Sequence, residues 1–342
     1  MRTTTISLAD GRRLTYYDRQ PGEDRTAADK RELPELSTHS QQRHDMLLDE
    51  HVVVAAHRQG RTHLPSAADC PLCPSRDGRL SEIPADDYDV VVFDNRFPSL
   101  TPPGGHCEVI CFSSDHEAAL GSLSADRMEL VLAAQADRTA ELGGRPGVAQ
   151  VFPFENRGVE VGVTLHHPHG QIYAFPFVPP RARRMLDAAR AHHERTGGNL
   201  FAEVLAAEQD AEVRVVVHTT HWTAFVPEAA RWPVELHIYP NRQVADLTEL
   251  TPVERQDFAE LYPQLLRKLD ALYDQPLPYL AGWQQAPVAL DRELGYLRLE
   301  LVSPRRAPAK LKYLASVETL MGAYLNDVLP EDTARRLREL PG

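Results

Sequence analysis

Apolar residues follow two periods along this chain. Short runs rich in Val, Ile and Phe, among them DVVVFDNR (89–96), CEVICFS (107–113), GVAQVFPFENRG (147–158) and VTLHHPHGQIYAFPF (163–177), predict strands. Between them SADRMELVLAAQADRTAELG (124–143) spaces its apolar positions at three and four residues behind a serine cap, which predicts an amphipathic helix. The pattern repeats faintly. Residues 108–142 and 235–269 share the order strand, polar turn, Ser or Thr cap, helix, and each is followed some sixty residues after its strand by another strand, HHPHGQIYAF (166–175) in the first half and LGYLRLELVSP (294–304) in the second. Two copies of one mixed unit are therefore expected, and only the first carries the histidines.

Residues 19–45 are polar, charged and without apolar periodicity, which predicts a mobile arm, with order resuming at LLDEHVVVAAHRQGR. The expected organisation is an N-terminal segment over 1–46 that is in part such an arm, a first unit over 47–190 and a second over 191–342. A chain of 342 residues is long enough for two cores of that size. With 42% apolar and 25% charged residues the composition is that of an ordinary globular protein. A formal charge of −12 without a basic stripe argues against a nucleic-acid partner, although a few placed arginines suffice for a small phosphorylated ligand. No run approaches the roughly 18 apolar residues of a membrane span, and the first residues lack the apolar core of a secretory signal, so the expectation is a cytoplasmic protein outside the membrane. There the four cysteines read as reduced thiols or metal ligands.

Cys70-Pro-Leu-Cys73 offers two thiolates at the spacing of half a tetrahedral zinc site. A redox dithiol and an accidental pair are the alternatives. Cys107 and Cys111 lie in a strand, where apolar packing is the plainer role, whereas His116 just beyond it is free to turn towards a metal or to water. In TLHHPHGQIY, an extended backbone would set His167, His169 and Gln171 on one face, His166 and Pro168 on the other, some 7 Å between same-side neighbours. That spacing suits neighbouring roles better than chelation of one ion. His167 would complete a zinc site, His169 act as nucleophile and Gln171 donate amide hydrogens to an anionic oxygen; a polar edge strand with solvated histidines is the bland alternative. Neutral imidazole attacks phosphorus and departs again from a phosphoramidate, dividing a transfer into two displacements. A sugar phosphate leaves as a stable anion, so glutamine can stand where a hydrolase would need an acid.

The pentapeptide His167-Pro168-His169-Gly170-Gln171 behind Phe154-Glu155-Asn156-Arg157-Gly158 resembles the histidine-triad superfamily, in particular its transferase branch, the galactose-1-phosphate uridylyltransferases, from about Leu47 to Tyr324. The resemblance implies a histidine-triad-like fold of α/β (α+β) type, in which helices flank a largely antiparallel sheet. It implies a ping-pong exchange of UMP between UDP-glucose and galactose-1-phosphate through a uridylyl group on His169, with Gln171 on the phosphoryl oxygens. It assigns Cys70, Cys73, His116 and His167 as zinc ligands. Arg58 and Arg61 fall near the substrate phosphates, Asn95 meets the nucleoside with Arg96 where the second residue of an Asn-Asp pair is usual, and Asn156 and Thr164 match further uridylyl contacts. Lys312, Tyr313 and Glu318 match a segment that reaches the sugar phosphate from a partner subunit, which implies a homodimer. A second metal of some relatives would need Met185, Gln284, Arg298 and Glu300, only one of which ligates well, so none is expected. Two other readings stand beside this one: a related nucleotidyltransferase or phosphorylase using adenylyl groups, and a zinc protein in which His169 is idle.

Overall fold

The computed structural model describes residues 1–20, 22–34, 39–60, 64–76, 78–103 and 105–342. It divides into two compact units: unit 1 comprises Met1–Pro153, Thr164–Arg184 and Pro287–Leu290, and unit 2 comprises Phe154–Val163, Met185–Ala286 and Asp291–Gly342.

In unit 1 the strands are β1 (Arg2–Ser7), β2 (Arg13–Asp18), β5 (Val90–Asp94), β6 (His106–Cys111), the first half of β7 (Gln150–Arg157) and β8 (His169–Phe175), with β3 (Gln41–Asp45) and β4 (Glu50–Val54) as a separate hairpin. The sheet order is β1-β2-β5-β6-β8-β7. Helix α1 (Ala125–Gly143) begins where Ser124 accepts from Arg127 N, a cap worth about 1 kcal/mol. The registered ladders are antiparallel and align residues into rows. Tyr16, Val91, Cys111 and His169 form one row, and Leu14, Phe93, Val109 and Gln171 the next. Both rows belong to one face, because successive strand residues alternate sides. The nucleophile candidate and its glutamine thus stand at the end of two apolar rows anchored in the core of the unit, where Leu14, Tyr16, Val91, Phe93 and Cys111 are buried together with Cys70, Leu72, Cys73 and Tyr88. The buried Ile110, Ile172 and Ala174 point to the other face, and each buried Ile contributes roughly 1.5–3 kcal/mol.

Unit 2 carries α3 (Leu200–Ala211), β9 (Val215–His218), β10 (Trp222–Phe225), β11 (Val234–Pro240), α4 (Pro252–Ala271), β12 (Tyr279–Gln284) and β13 (Arg298–Ser303), the greater part of α2 (Pro180–Thr196) and the second half of β7. Its order, β7-β12-β13-β11-β10-β9, repeats that of unit 1: β10-β11-β13-β12 stands for β5-β6-β8-β7. The echo read from the sequence is therefore one of topology, and α4 opens with a full capping box between Thr251 and Glu254. Beyond β13 lie the short pair β14 (Arg305–Ala307) and β15 (Lys310–Leu311), then α5 (Ser316–Met321) and α6 (Pro330–Glu339).

Strands precede the arm expected over residues 19–45, and part of that arm is held by ion pairs. β1 and β2 are sheet strands, paired from Arg2 with Asp18 to Ser7 with Arg13. Residues 22–34 have neither helix nor strand, yet Arg25 is buried against Asp18 at 2.6 Å and Arg31 meets Glu82 at 2.9 Å. Ion pairs hold this segment where apolar periodicity is absent, a kind of anchoring that a search for hydrophobic patterns does not see. Leu47, expected to begin the ordered region, instead sits exposed at the tip of the β3–β4 hairpin. No helix among the described residues is long and apolar enough to cross a membrane.

Candidate active site and metal centre

Cys70, Cys73, His116 and His167 converge, with ligating atoms all within 4.8 Å of one another. Cys73 Sγ lies 3.3 Å from His116 Nδ1 and 3.5 Å from His167 Nδ1. A tetrahedron with metal bonds of about 2.0–2.3 Å separates its ligand atoms by roughly 3.3–3.8 Å, so the donor set fits a closed four-coordinate ion. The other nitrogen of His167 is spoken for: Nε2–H reaches the Ser113 carbonyl at 2.8 Å, with the Tyr88 hydroxyl 2.7 Å away. This outer contact fixes the tautomer that leaves Nδ1 unprotonated for a metal. Burial, the larger cause, and the neighbouring His116 and His169 lower the His167 pKa to about 4, keeping the ring neutral. Burial raises Cys70 to about 11, so a bare thiolate is costly here, and a divalent cation would offset that cost. The redox-dithiol reading of Cys70 and Cys73 gains nothing from this setting, because a reactive thiolate needs a lowered pKa.

The common face expected for His167, His169 and Gln171 requires correction at its first member. Strand β8 begins at His169; His167 and Pro168 form a bend before it. Pro168 has no N–H for the ladder, but its carbonyl accepts from Phe112 N at 3.2 Å, which pins the bend. His167 consequently turns into the metal cluster, buried, while alternation from His169 onwards leaves residues 169, 171, 173 and 175 half-buried and 170, 172 and 174 buried. His166 is exposed, in keeping with a solvated histidine.

His169 Nδ1 lies 2.7 Å from the carbonyl oxygen of His167. A carbonyl only accepts, so Nδ1 carries the proton and Nε2 the lone pair. Burial lowers the His169 pKa against the smaller upward pull of that hydrogen bond, which favours the neutral ring. Two places on, Gln171 Oε1 accepts from the Tyr173 hydroxyl at 3.2 Å, leaving the amide N–H groups as donors for another partner. Tyr173 was not anticipated from the sequence, although the same alternation that pairs 169 with 171 extends to it.

His169 and Gln171 line a pocket with Arg58, Asn95, Arg96 and Thr164, walled by Leu72, Phe93, Phe97, Val109 and Leu165. Arg58 is tied by an Nη1–H to the Phe97 carbonyl at 2.8 Å, and Asn95 Oδ1 accepts from Phe97 N at 2.8 Å, an Asx turn that shapes the rim. Glu82 also reaches the pocket, already paired with Arg12 at 2.6 Å and Arg31 at 2.9 Å. Of the other expected contacts, Arg61 lies outside the described residues. Asn156, Lys312, Tyr313 and Glu318 belong to unit 2. There Lys312 and Glu318 approach at 3.7 Å, Lys312 donates to the Arg231 carbonyl at 2.7 Å, and Tyr313 is exposed.

Behind Asn156, Gly158 has φ +99°, and a Cβ on it would stand 2.8 Å from Pro278 Cβ, so the glycine that closes FENRG is required by a turn and a close approach. At the positions weighed for a second metal, the Arg298 guanidinium meets Glu300 at 2.9 Å, contacts Met185 Sδ and lies over Phe201, its Cζ 4.8 Å from the ring centre. A second cluster, Asp94, His106 and Glu108, had no signal in the sequence; Arg138 occupies Glu108 with both arms of its fork, at 2.9 and 2.7 Å.

An imidazole with its Nε2 lone pair unprotonated, an amide donor two residues away and arginines line one pocket, an arrangement that suits a nucleotidyltransferase. Residues 101–179 match the family described as galactose-1-phosphate uridyl transferase, N-terminal domain, and residues 185–342 the corresponding C-terminal domain. The galactose-1-phosphate uridylyltransferase of Streptomyces lividans is 46% identical over 99% of this chain and 98% of its own. That of Thermotoga maritima is 40% identical over 87% of this chain and 97% of its own. A solved uridylyltransferase structure superposes with a TM-score of 0.78 at 31% identity, covering 88% of this chain and 97% of that one. The chain belongs to the galactose-1-phosphate uridylyltransferase family.

Proposed function

We propose that this chain exchanges UMP between UDP-glucose and galactose-1-phosphate in two displacements. His169 Nε2 attacks the α-phosphorus of UDP-glucose; the bond from that phosphorus to the bridging oxygen breaks, and glucose-1-phosphate leaves with the electron pair. The uridylylated ring keeps its Nδ1 proton, and the His167 carbonyl at 2.7 Å stabilises the resulting positive charge. A phosphate oxygen of galactose-1-phosphate then attacks the same phosphorus, the N–P bond breaks, and its electrons return to Nε2. Gln171 donates to the non-bridging oxygens throughout, its carbonyl held by Tyr173. Arg58 attracts the phosphates, while Asn95 and Thr164 hold the uridylyl group. The single observation that carries this reading is the Nδ1–H bond to the His167 carbonyl, which leaves Nε2 as the nucleophile on a pocket-lining strand position.

The metal held by Cys70, Cys73, His116 and His167 is zinc, favoured by the mixed thiolate and imidazole donors and by the tetrahedral spacing. With four protein ligands it fixes the bend before β8 and takes no part in the chemistry. The two units are two copies of one fold, supported by their common strand order. The working form is a homodimer in the cytoplasm. Exposed Tyr313, Leu320, Met321 and Leu325, a run of apolar side chains around α5, support an interface that brings Lys312, Tyr313 and Glu318 to a partner's sugar phosphate. The test is isotope exchange: labelled glucose-1-phosphate should enter UDP-glucose with no galactose-1-phosphate present, and ADP-glucose should support far less exchange. Exchange that requires the second sugar phosphate would rule out a covalent intermediate, and preference for ADP-glucose would make the enzyme an adenylyl transferase.

A further inference from the structure

One buried hydroxyl touches both halves of the Cys/His cluster. Tyr88, 2% exposed, donates its O–H to the Leu72 carbonyl at 3.0 Å, within the turn that carries Cys70 and Cys73. The same oxygen lies 2.7 Å from His167 Nε2 and accepts its proton alongside the Ser113 carbonyl, at 2.8 Å. A phenolic hydroxyl gives one proton and has lone pairs to receive others, so the two contacts do not compete. Leu72, Tyr88 and both cysteines belong to one buried cluster, shut off from the water that would replace a lost partner. The His167 ring is thereby held through Nε2, while Cys73 Sγ lies 3.5 Å from its Nδ1.

His167 also reaches the nucleophile. Its carbonyl oxygen accepts from His169 Nδ1–H at 2.7 Å, the bond that leaves the lone pair on Nε2. Cys111, which pairs with His169 across the sheet, packs in the same buried cluster as Tyr88. We propose that Tyr88 is a positioning residue. By joining the Leu72 carbonyl to His167 Nε2 it sets the cysteine turn and the His167 ring in the geometry that retains a metal, and through the His167 carbonyl it keeps His169 in the tautomer that attacks. Outer hydrogen bonds on a ligating histidine are in general worth about 10- to 100-fold in metal affinity or activity. This inference rests on the zinc reading above.

The experiment compares Tyr88→Phe with wild type and with Tyr17→Phe. Tyr17 is also buried and donates its hydroxyl proton to Asp137 at 2.6 Å, but it lies on the opposite face of β2 from Tyr16, whose row ends at His169. Zinc-loaded protein is titrated with a chromophoric chelator, and the competition gives the zinc affinity of each form. Tyr88→Phe should bind zinc about 10- to 100-fold more weakly. With zinc in excess its kcat should be about 2- to 10-fold lower at an unchanged KM for UDP-glucose. Tyr17→Phe should keep the wild-type zinc affinity, whatever it loses in melting temperature. Zinc affinity in Tyr88→Phe equal to wild type, or the same loss in Tyr17→Phe, would overturn the assignment. Wild-type protein that takes up no zinc would instead remove the reading on which it rests.

Discussion

Glu155, in the block that precedes the catalytic strand, gives the sharpest test of the energetics. Its carboxyl is buried on β7, accepts from the Tyr279 hydroxyl at 2.8 Å, and has its pKa raised from 4.5 to about 7, chiefly by burial and against the weaker downward pulls of Tyr279 and Arg157. Arg157 does little to rescue the charge because its guanidinium is engaged by Asp270 through contacts of 2.9, 3.0 and 3.0 Å. The folded carboxyl therefore holds its proton to about pH 7, whereas the unfolded one releases it near 4.5. Between these values the folded state binds more protons, so this residue's contribution to stability falls as pH rises from about 4.5 to about 7 and levels off above. Each pKa unit corresponds to about 1.4 kcal/mol, which puts the full penalty at about 3 kcal/mol. Glu155→Gln keeps an acceptor for Tyr279 and cannot ionise. It should match wild type near pH 5 and be more stable at pH 8 by up to about 3 kcal/mol, a rise of roughly 6–12 °C in melting temperature for a unit of this size. Calorimetry or circular dichroism melts at both pH values provide the assay. A variant destabilised equally at pH 5 and pH 8 would show that Glu155 is an ionised, compensated carboxylate and refute the reasoning.

Tyr173→Phe removes the donor that holds the Gln171 carbonyl at 3.2 Å; kcat should fall about 2- to 10-fold with KM little changed, and an unchanged kcat in steady-state assays would show that Gln171 needs no such support. Cys73→Ser, or extraction with a strong chelator, should release about one equivalent of metal by elemental analysis and lower the melting temperature together with activity; full activity in metal-free protein would contradict a structural ion. Arg298→Met removes the guanidinium that faces the buried Glu300 carboxylate at 2.9 Å and should cost about 3–5 kcal/mol in denaturant unfolding, with Arg298→Met/Glu300→Leu recovering much of it; no recovery would mean that the ion pair is not the source of the loss.

The parts of the site legible in the sequence are those in which local spacing determines geometry. C-x-x-C brings two cysteines to one cluster that could hold a metal, and alternation places His169 and Gln171 on one face. Ser124 and the periodicity behind it set α1 to within a residue of its expected start. His116 joins the Cys/His cluster only through contact between residues distant in sequence, and the bend at His167 depends on Pro168 and on the pairing of Cys111 with His169 across the sheet. Residues 22–34 carry no signal of their anchoring because Arg25, Asp18, Arg31 and Glu82 meet through charge, which leaves no period in the sequence. Tyr88, Tyr173 and the Arg138–Glu108 pair are invisible for the same reason: each acts through a partner that only the fold supplies.

The central claim is that His169 Nε2 bonds to phosphorus. Incubation with UDP-glucose alone, followed by intact and peptide mass measurement, should add one uridylyl group at His169, stable in alkali and lost in acid, and absent from His169→Gly. No adduct on wild-type protein that is active in exchange, or an adduct at another residue that persists in His169→Gly, would contradict it.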